Sequence, residues 1–304
     1  MTATKPATRS TLHLALGTYV RVRVQARSAT DGDRAIAKAR EAIAACEARF
    51  SLYQPDSKLC QINALAATGA VVVSGEMFDL LTLCAEIALG SHFLFDPTVG
   101  GALVETGLRP GAAHAGQWSD VVLDHVNRSV RFLRPLTLDL GGVAKGAAVD
   151  CAVQAAMKNG ATGVLVDAGG DMRACGVIEQ DVRVRDPRDA RRSLPLMRLA
   201  NAAIATSGGA LAARTTSHCK QVVPTLDPSR TDTDTEASTA QHSLLHKSVS
   251  VTASCCAVAD ALTKVVQLSG DVQHPLLARF AAQALCIDAT DTEHYVIETT
   301  RAAA

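Results

Sequence analysis

The segment Leu138 to Asp150, "LDLGGVAKGAAVD", sets Asp139, the three glycines Gly141, Gly142 and Gly146, and a lysine between them where an apolar run gives way to a helix-like stretch. Free backbone N–H groups at a helix start and the positive end of its dipole favour an anion, and glycine lets that anion approach the main chain. Lys145 adds a positive charge. Asp139 and Lys145 are therefore candidates for phosphate chemistry. "GGVAKG" nevertheless has neither the P-loop spacing nor the dinucleotide fingerprint. Taken alone, a tight strand-to-helix turn is the simpler account of its glycines.

Other residues add to the pattern. Tyr53 stands in the Pro-Asp-Ser turn of "SLYQPDS", suited either to stacking on a flat ring or to half-burial as a turn aromatic. "FDPTVGG", "VDAGGDMRACG" and "IATSGG" are three further glycine turns at strand or helix ends. Asp260 lies near the start of a helix, where an aspartate most often only complements the dipole. Cys255-Cys256 sit in an apolar run and read as packing rather than as metal ligands. "DTDTE" lacks the glycine and the distal glutamate of a calcium loop.

Positioning these residues requires a mixed set of elements. "YVRVRV" alternates strictly and predicts a half-buried strand. The helix that follows carries Ile36, Ala39, Ile43, Cys46 and Phe50 on one stripe, with acidic residues at its start. A short helix, a strand at "AVVV" and a helix through "MFDLLTLCAEIAL" come next. "FDPTVGG" is expected as a loop, "SVRFLR" and "LTLDL" as strands, and Gly146 to Lys158 as a helix stopped by Asn159-Gly160. "GVLVDAGGDMRACG" predicts strand, glycine turn and strand, with further strands at "DVRVRDP" and "NAAIATSGG". Residues 224–243 are polar and rich in Thr and Asp, a surface loop. Beyond it come the strand "SVSVTA", two helices, and the strands "ALCID" and "YVIET". Strands and helices without regular alternation predict an α+β fold.

Composition limits the function classes. The 304 residues include 48% hydrophobic and 20% charged residues, enough for a substantial core. Thirty basic residues balance thirty acidic ones, with no basic block, which gives no reason to expect nucleic acid or an anionic membrane surface. The first residues contain no apolar run of signal-peptide length, and no segment has the ~20 apolar residues of a membrane helix. Nine cysteines without paired spacing suggest a reducing compartment, so a cytoplasmic location is expected.

The set "LGT", "FSLYQPDSKLCQIN", "FDPTVGG", "LDLGGVAKGAAVD", "VDAGGDMRACG", "IATSGG", "LDP" and "VADAL", in that order, resembles the FAD:protein FMN transferases (ApbE-type flavin transferases). The resemblance runs from about Leu14 to the last strand, leaving residues 1–13 as a tail and 14–304 as one domain. It implies two intimately packed α+β lobes with mixed sheets and a FAD cleft between them. It further implies magnesium-dependent transfer of FMN from FAD to a threonine hydroxyl of a target flavoprotein, with release of AMP. By that resemblance Asp139 and Lys145 contact FAD, as do Leu16, Tyr53, Leu94, Phe95 and Asp96 around the flavin. The Gly142 carbonyl and Asp260 would hold magnesium, and Asp260 would carry the metal-linked catalysis. A pyrophosphate needs charge neutralised at its leaving and bridging oxygens, which a hard cation on oxygen ligands supplies.

Two positions depart from the family pattern. Lys264 stands where the family has a metal-ligating threonine, and Thr263, about 100° around the helix, cannot take its place. Pro224 stands where the family has a catalytic histidine, and proline offers no proton chemistry; the nearest histidine is His218. These departures predict weakened transfer beside retained FAD binding, or a non-catalytic FAD-binding homologue.

Overall fold

The strict alternation of "YVRVRV" becomes a strand with Val20, Val22 and Val24 fully buried and Arg21 exposed. A computed structural model describes residues 6–186, 189, 191–208 and 247–288. In chain order the strands are β1 (Ala7–Ala15), β2 (Thr18–Ala26), β3 (Val71–Val72), β4 (Val121–Asp124), β5 (Ser129–Phe132), β6 (Ala161–Ala168), β7 (Asp171–Arg185), β8 (Ser193–Gly208), β9 (Lys247–Ala253) and β10 (Gln283–Asp288). The helices are α1 (Ala29–Phe50), α2 (Lys58–Leu65), α3 (Gly75–Gly90), α4 (Gly100–Glu105), α5 (Ala144–Lys158), α6 (Cys256–Ser269) and α7 (Pro275–Arg279). The α+β expectation holds.

Seven strands form one sheet in the order β1-β2-β6-β7-β8-β9-β10, and β3-β5-β4 form a second, small one. Every pairing among the described residues is antiparallel, so the sheets are not mixed in direction. On one face of the large sheet, valines of β2 and β6 pack against Ala35, Ala39 and Ile43 of α1 and Val149, Ala152, Val153 and Ala156 of α5. Leu165, Val182, Leu199 and Ile204 form a cluster of their own within the same sheet. The third cluster, the largest, gathers α2, α3, α6 and the small sheet around Leu136, Leu138 and Leu140.

Three expectations are corrected. Residues 7–13 are not a tail: β1 pairs with β2 along its whole length, and Arg9 bonds Asp33 of α1 at 3.0 Å. Its leucines, Leu12 and Leu14, face outward, so the strand carries no buried apolar stripe that a reader of the sequence would notice. "LTLDL" is not a strand. Its leucines are buried as alternation requires, but its backbone bonds are made outside any strand: the Asn63 amide bonds both the N–H (2.9 Å) and the carbonyl (3.0 Å) of Leu138, and the Thr137 and Asp139 N–H groups donate to the carbonyls of His114 and Pro97. "FDPTVGG" is a 3-10 turn, Pro97–Val99, leading into α4. Gly100 is required there because a Cβ would lie 2.4 Å from the Thr137 carbonyl oxygen. The strand expected at "YVIET" and the polar loop 224–243 lie outside the described residues.

Candidate functional site

Asp139 is held by its backbone first, its N–H donating to the Pro97 carbonyl at 2.8 Å. Its carboxylate then accepts from the Gly141 N–H at 2.8 Å and from Arg109 Nε at 2.9 Å. Arg109 reaches further. Its Nη1 donates to the Tyr53 hydroxyl at 3.3 Å, and its guanidinium carbon lies 5.9 Å from the Tyr53 ring centre, within cation–π range. Tyr53 remains 66% exposed, so its ring is open to a ligand rather than filling the core.

Lys145, at the start of α5, forms an ion pair with Asp171 at the start of β7. Lys264 forms one with Asp260, four residues before it on the same face of α6. Both carboxylates are almost wholly buried, while each lysine side chain is about a third exposed. Two part-exposed lysine side chains thus cover two buried carboxylates, and cations at the rim of a site favour an anion. Burial and the neighbouring Asp260 push the Asp171 carboxyl up to about 6, although Lys145 and Lys264 pull it down. Burial also opposes the charge on Lys145, but Asp171 and Asp260 outweigh it and hold the ammonium above its ordinary value. At neutral pH the pair is therefore ionised.

Helices α5 and α6 are joined reciprocally. The Gly146 N–H donates to Asp260 Oδ2 at 3.2 Å, and Asp150 of α5 accepts from the N–H groups of Cys256 and Ala257 at 2.9 Å each. Arg173 of β7 closes the arrangement with Nη1 2.6 Å from Asp150. A Cβ on Gly146 would sit 2.3 Å from the Cys256 carbonyl oxygen. What passes close to this glycine is the backbone of α6, not a phosphate. Gly142 has a different neighbourhood: a Cβ there would meet Phe95 Cε2 at 3.2 Å and Lys264 Cε at 3.7 Å.

The remaining expected residues are placed as follows. Leu16 and Gly17 make the two-residue turn between β1 and β2, both with positive φ (55° and 69°). Such turns favour Asn-Gly, and a leucine there costs roughly 1–2 kcal/mol. Its N–H donates to Glu47 Oε1 at 2.7 Å, and its side chain lies at the seam of two apolar clusters. Leu94 is half-buried against the large cluster and Phe95 is buried in it, after a kink in which His92 and Phe93 both have positive φ. Asp96 turns inward to cap the 3-10 turn, with Oδ1 accepting from the Thr98 N–H (2.8 Å) and hydroxyl (2.7 Å). Burial raises its carboxyl above the ordinary value despite those bonds.

The structure thus brings together Tyr53 with Asp139, Phe95 with Gly142, and Gly142 with the Lys264 that holds Asp260. Sequence reasoning missed Arg109, Asp171, Asp150 and Arg173. Asp171 directly follows a Gly-Gly pair, and Asp150 interrupts an apolar helical stripe; both are readable signals. Arg109 carries none. Pro224 and His218 lie outside the described residues. Cys256 is buried and Cys255 half-buried, and burial pushes both thiols up, which agrees with packing.

The magnesium site implied by the resemblance does not fit these residues. Both oxygens of the Asp260 carboxylate already have partners, Lys264 on Oδ1 and the Gly146 N–H on Oδ2. The Lys264 Nζ also lies 3.0 Å from the Asp260 carbonyl oxygen. Among the described residues no three His, Cys, Asp or Glu side chains converge to hold a metal ion.

Known proteins match this architecture. A FAD:protein FMN transferase of Treponema pallidum is 30% identical over 193 residues, 57% of this chain and 53% of that protein. One of Rhodobacter capsulatus is 29% identical over 161 residues, 46% of this chain and 31% of that protein. The chain thus spans about half or less of the length of these curated relatives. Among solved structures, the ApbE protein of Thermotoga maritima aligns with a TM-score of 0.69 at 25% identity, over 93% of this chain and 94% of that one. The flavin transferase ApbE of Vibrio cholerae has the same fold, with a TM-score of 0.71 at 17% identity over 94% and 95% of the two chains. The ApbE family model matches residues 16–286, and this chain belongs to the ApbE family.

Proposed function

We propose that the chain binds FAD against Tyr53, Arg109, Asp139, Lys145 and Lys264, and transfers FMN slowly to a threonine hydroxyl of a target flavoprotein. In that step the hydroxyl oxygen bonds to the FMN phosphorus, the bond from that phosphorus to the bridging oxygen breaks, and AMP leaves with that oxygen. The hydroxyl proton must pass to a base. Lys145 and Lys264 would neutralise the charge that builds on the phosphate oxygens. The observation that carries the reading is the pair of part-exposed lysine side chains, each held on a buried carboxylate, in a chain of this family. Incubating the protein with FAD and an acceptor, then measuring AMP and covalent flavin, tests it directly.

One observation favours a second reading, a FAD-binding or regulatory homologue without transfer. Lys264 holds Asp260, the residue on which the family's metal chemistry would depend. Flavin quenching without AMP release would select it. A cytoplasmic location belongs to the same proposal. Eight cysteines among the described residues are free thiols, which suits a reducing compartment. No helix among the described residues is long and apolar enough to cross a membrane.

Two results are expected at this site. Tyr53→Ala should weaken FAD binding about 2- to 13-fold, the equivalent of roughly 0.5–1.5 kcal/mol of aromatic stacking, read by flavin fluorescence. Unchanged affinity would remove Tyr53 from the pocket.

FAD affinity should also rise as pH falls from 7 to 5. Asp171 protonates near 6, and its loss of charge leaves Lys145 facing the pyrophosphate without a competing carboxylate. About a three- to tenfold gain is expected, and Asp171→Asn should flatten the profile. The stability effect of Asp171 runs in the same sense. The folded state keeps a proton that the unfolded chain gives up between 3.8 and about 6, so this contribution falls as pH rises through that window and is level above it.

A further inference from the structure

We infer that Lys264 is a built-in replacement for a divalent cation, so that the FAD pyrophosphate is held by two tethered ammonium groups, Lys264 and Lys145, without metal. The inference rests on the FAD pocket proposed above. The helical spacing of Asp260 and Lys264 puts both on one face of α6, and the ammonium sits on Asp260 Oδ1 and on the Asp260 carbonyl oxygen. The stem of Lys264 runs along Gly142, with Cε 3.7 Å from where a Cβ would stand. Gly142 and Asp260 are the two residues to which the family resemblance assigns the metal. One lysine therefore occupies the neighbourhood of both.

The charge balance leaves no place for a further cation. Asp260 is matched by Lys264 and Asp171 by Lys145, one to one. A divalent ion entering here would face two ammonium groups and would have to displace Lys264 from a buried carboxylate. An ammonium has three N–H donors. Two of those of Lys264 are directed to Asp260, and the third is left for an incoming oxygen. The side chain is about a third exposed rather than sealed in the core, and a phosphate that reaches its ammonium would meet that donor. The lysine supplies charge and a hydrogen bond at a fixed point, which is what a pyrophosphate needs in order to bind.

The test uses manganese as a paramagnetic probe on the full chain, together with FAD titrations in EDTA and in millimolar magnesium. Wild-type protein is expected to leave manganese free in solution and to bind FAD equally well in both buffers. Lys264→Thr exchanges the ammonium for a hydroxyl oxygen. It should take up manganese, lose about tenfold in FAD affinity in EDTA, and regain it with magnesium. Lys264→Arg keeps the charge and should remain indifferent to metal, which covers the case of a threonine variant that does not fold. Stoichiometric manganese uptake by the wild-type chain would overturn the inference, as would a roughly tenfold loss of its FAD affinity in EDTA. If FAD binds under no condition, the functional proposal falls, while the manganese arm still decides the role of Lys264.

Discussion

Asp150→Ala is expected to lower folding stability by about 3–5 kcal/mol, the range for breaking a buried ion pair by removing one partner. Three groups lose their acceptor at once: the N–H groups of Cys256 and Ala257, and the Arg173 guanidinium. The first two belong to the opening turn of α6, whose N-cap residue, Cys255, makes no side-chain capping bond. The cap is thus supplied from another helix. Burial pushes the Asp150 carboxyl up, and Arg173 and the two N–H donors only partly offset this, so the ionised form depends on those partners. Asp150→Asn keeps the shape and one acceptor oxygen and should cost less. Urea unfolding should show a lower midpoint with an unchanged slope. Because α6 carries Asp260 and Lys264, the alanine variant should also bind FAD more weakly below its unfolding midpoint. A loss under about 1 kcal/mol would mean that water replaces Asp150 at the helix start.

Pro224→His should raise FMN transfer by about 10²–10⁴-fold while leaving FAD affinity unchanged. In the proposed transfer the acceptor hydroxyl would lose its proton as the phosphorus–oxygen bond to AMP breaks, and a positioned imidazole is the side chain best matched to that task near neutral pH. Proline has no group that can hold the proton. The residues proposed to hold FAD are untouched by the change, so the gain should fall on the rate and not on binding. The measurement is flavin incorporation into an acceptor carrying the target threonine, compared between the two proteins at saturating FAD. If the wild-type chain is already as fast as its variant, another base acts, and His218→Ala should then abolish transfer.

Several parts of this molecule were legible in the order of its residues. Alternation at Tyr19 to Val24 is a sheet surface wherever it folds, because the period of two admits one buried face. The stripe through Ala39, Ile43, Cys46 and Phe50 dictates a helix lying on an apolar layer for the same reason. The glycine turns, the turn tyrosine and the Asp260–Lys264 spacing were all visible too, since each is a property of one residue type at one spacing.

Other features depended on contacts between distant segments. Leu136, Leu138 and Leu140 alternate as well as any strand, yet the side chain of Asn63, far away in sequence, takes both backbone bonds of Leu138, and loop carbonyls take those of its neighbours. Gly146 looked like an opening for phosphate, but the carbonyl of Cys256 fills that space. Arg109 joins Tyr53 to Asp139 across gaps of 56 and 30 residues, and no local pattern announces it. Most of all, a lysine on a helix face can point outward or inward. The choice of Lys264 for Asp260 was made by burial, because an unpartnered carboxylate there would be far costlier than the entropy of fixing one long side chain. The residue types were written in the chain, and the charge map of the site came only from folding.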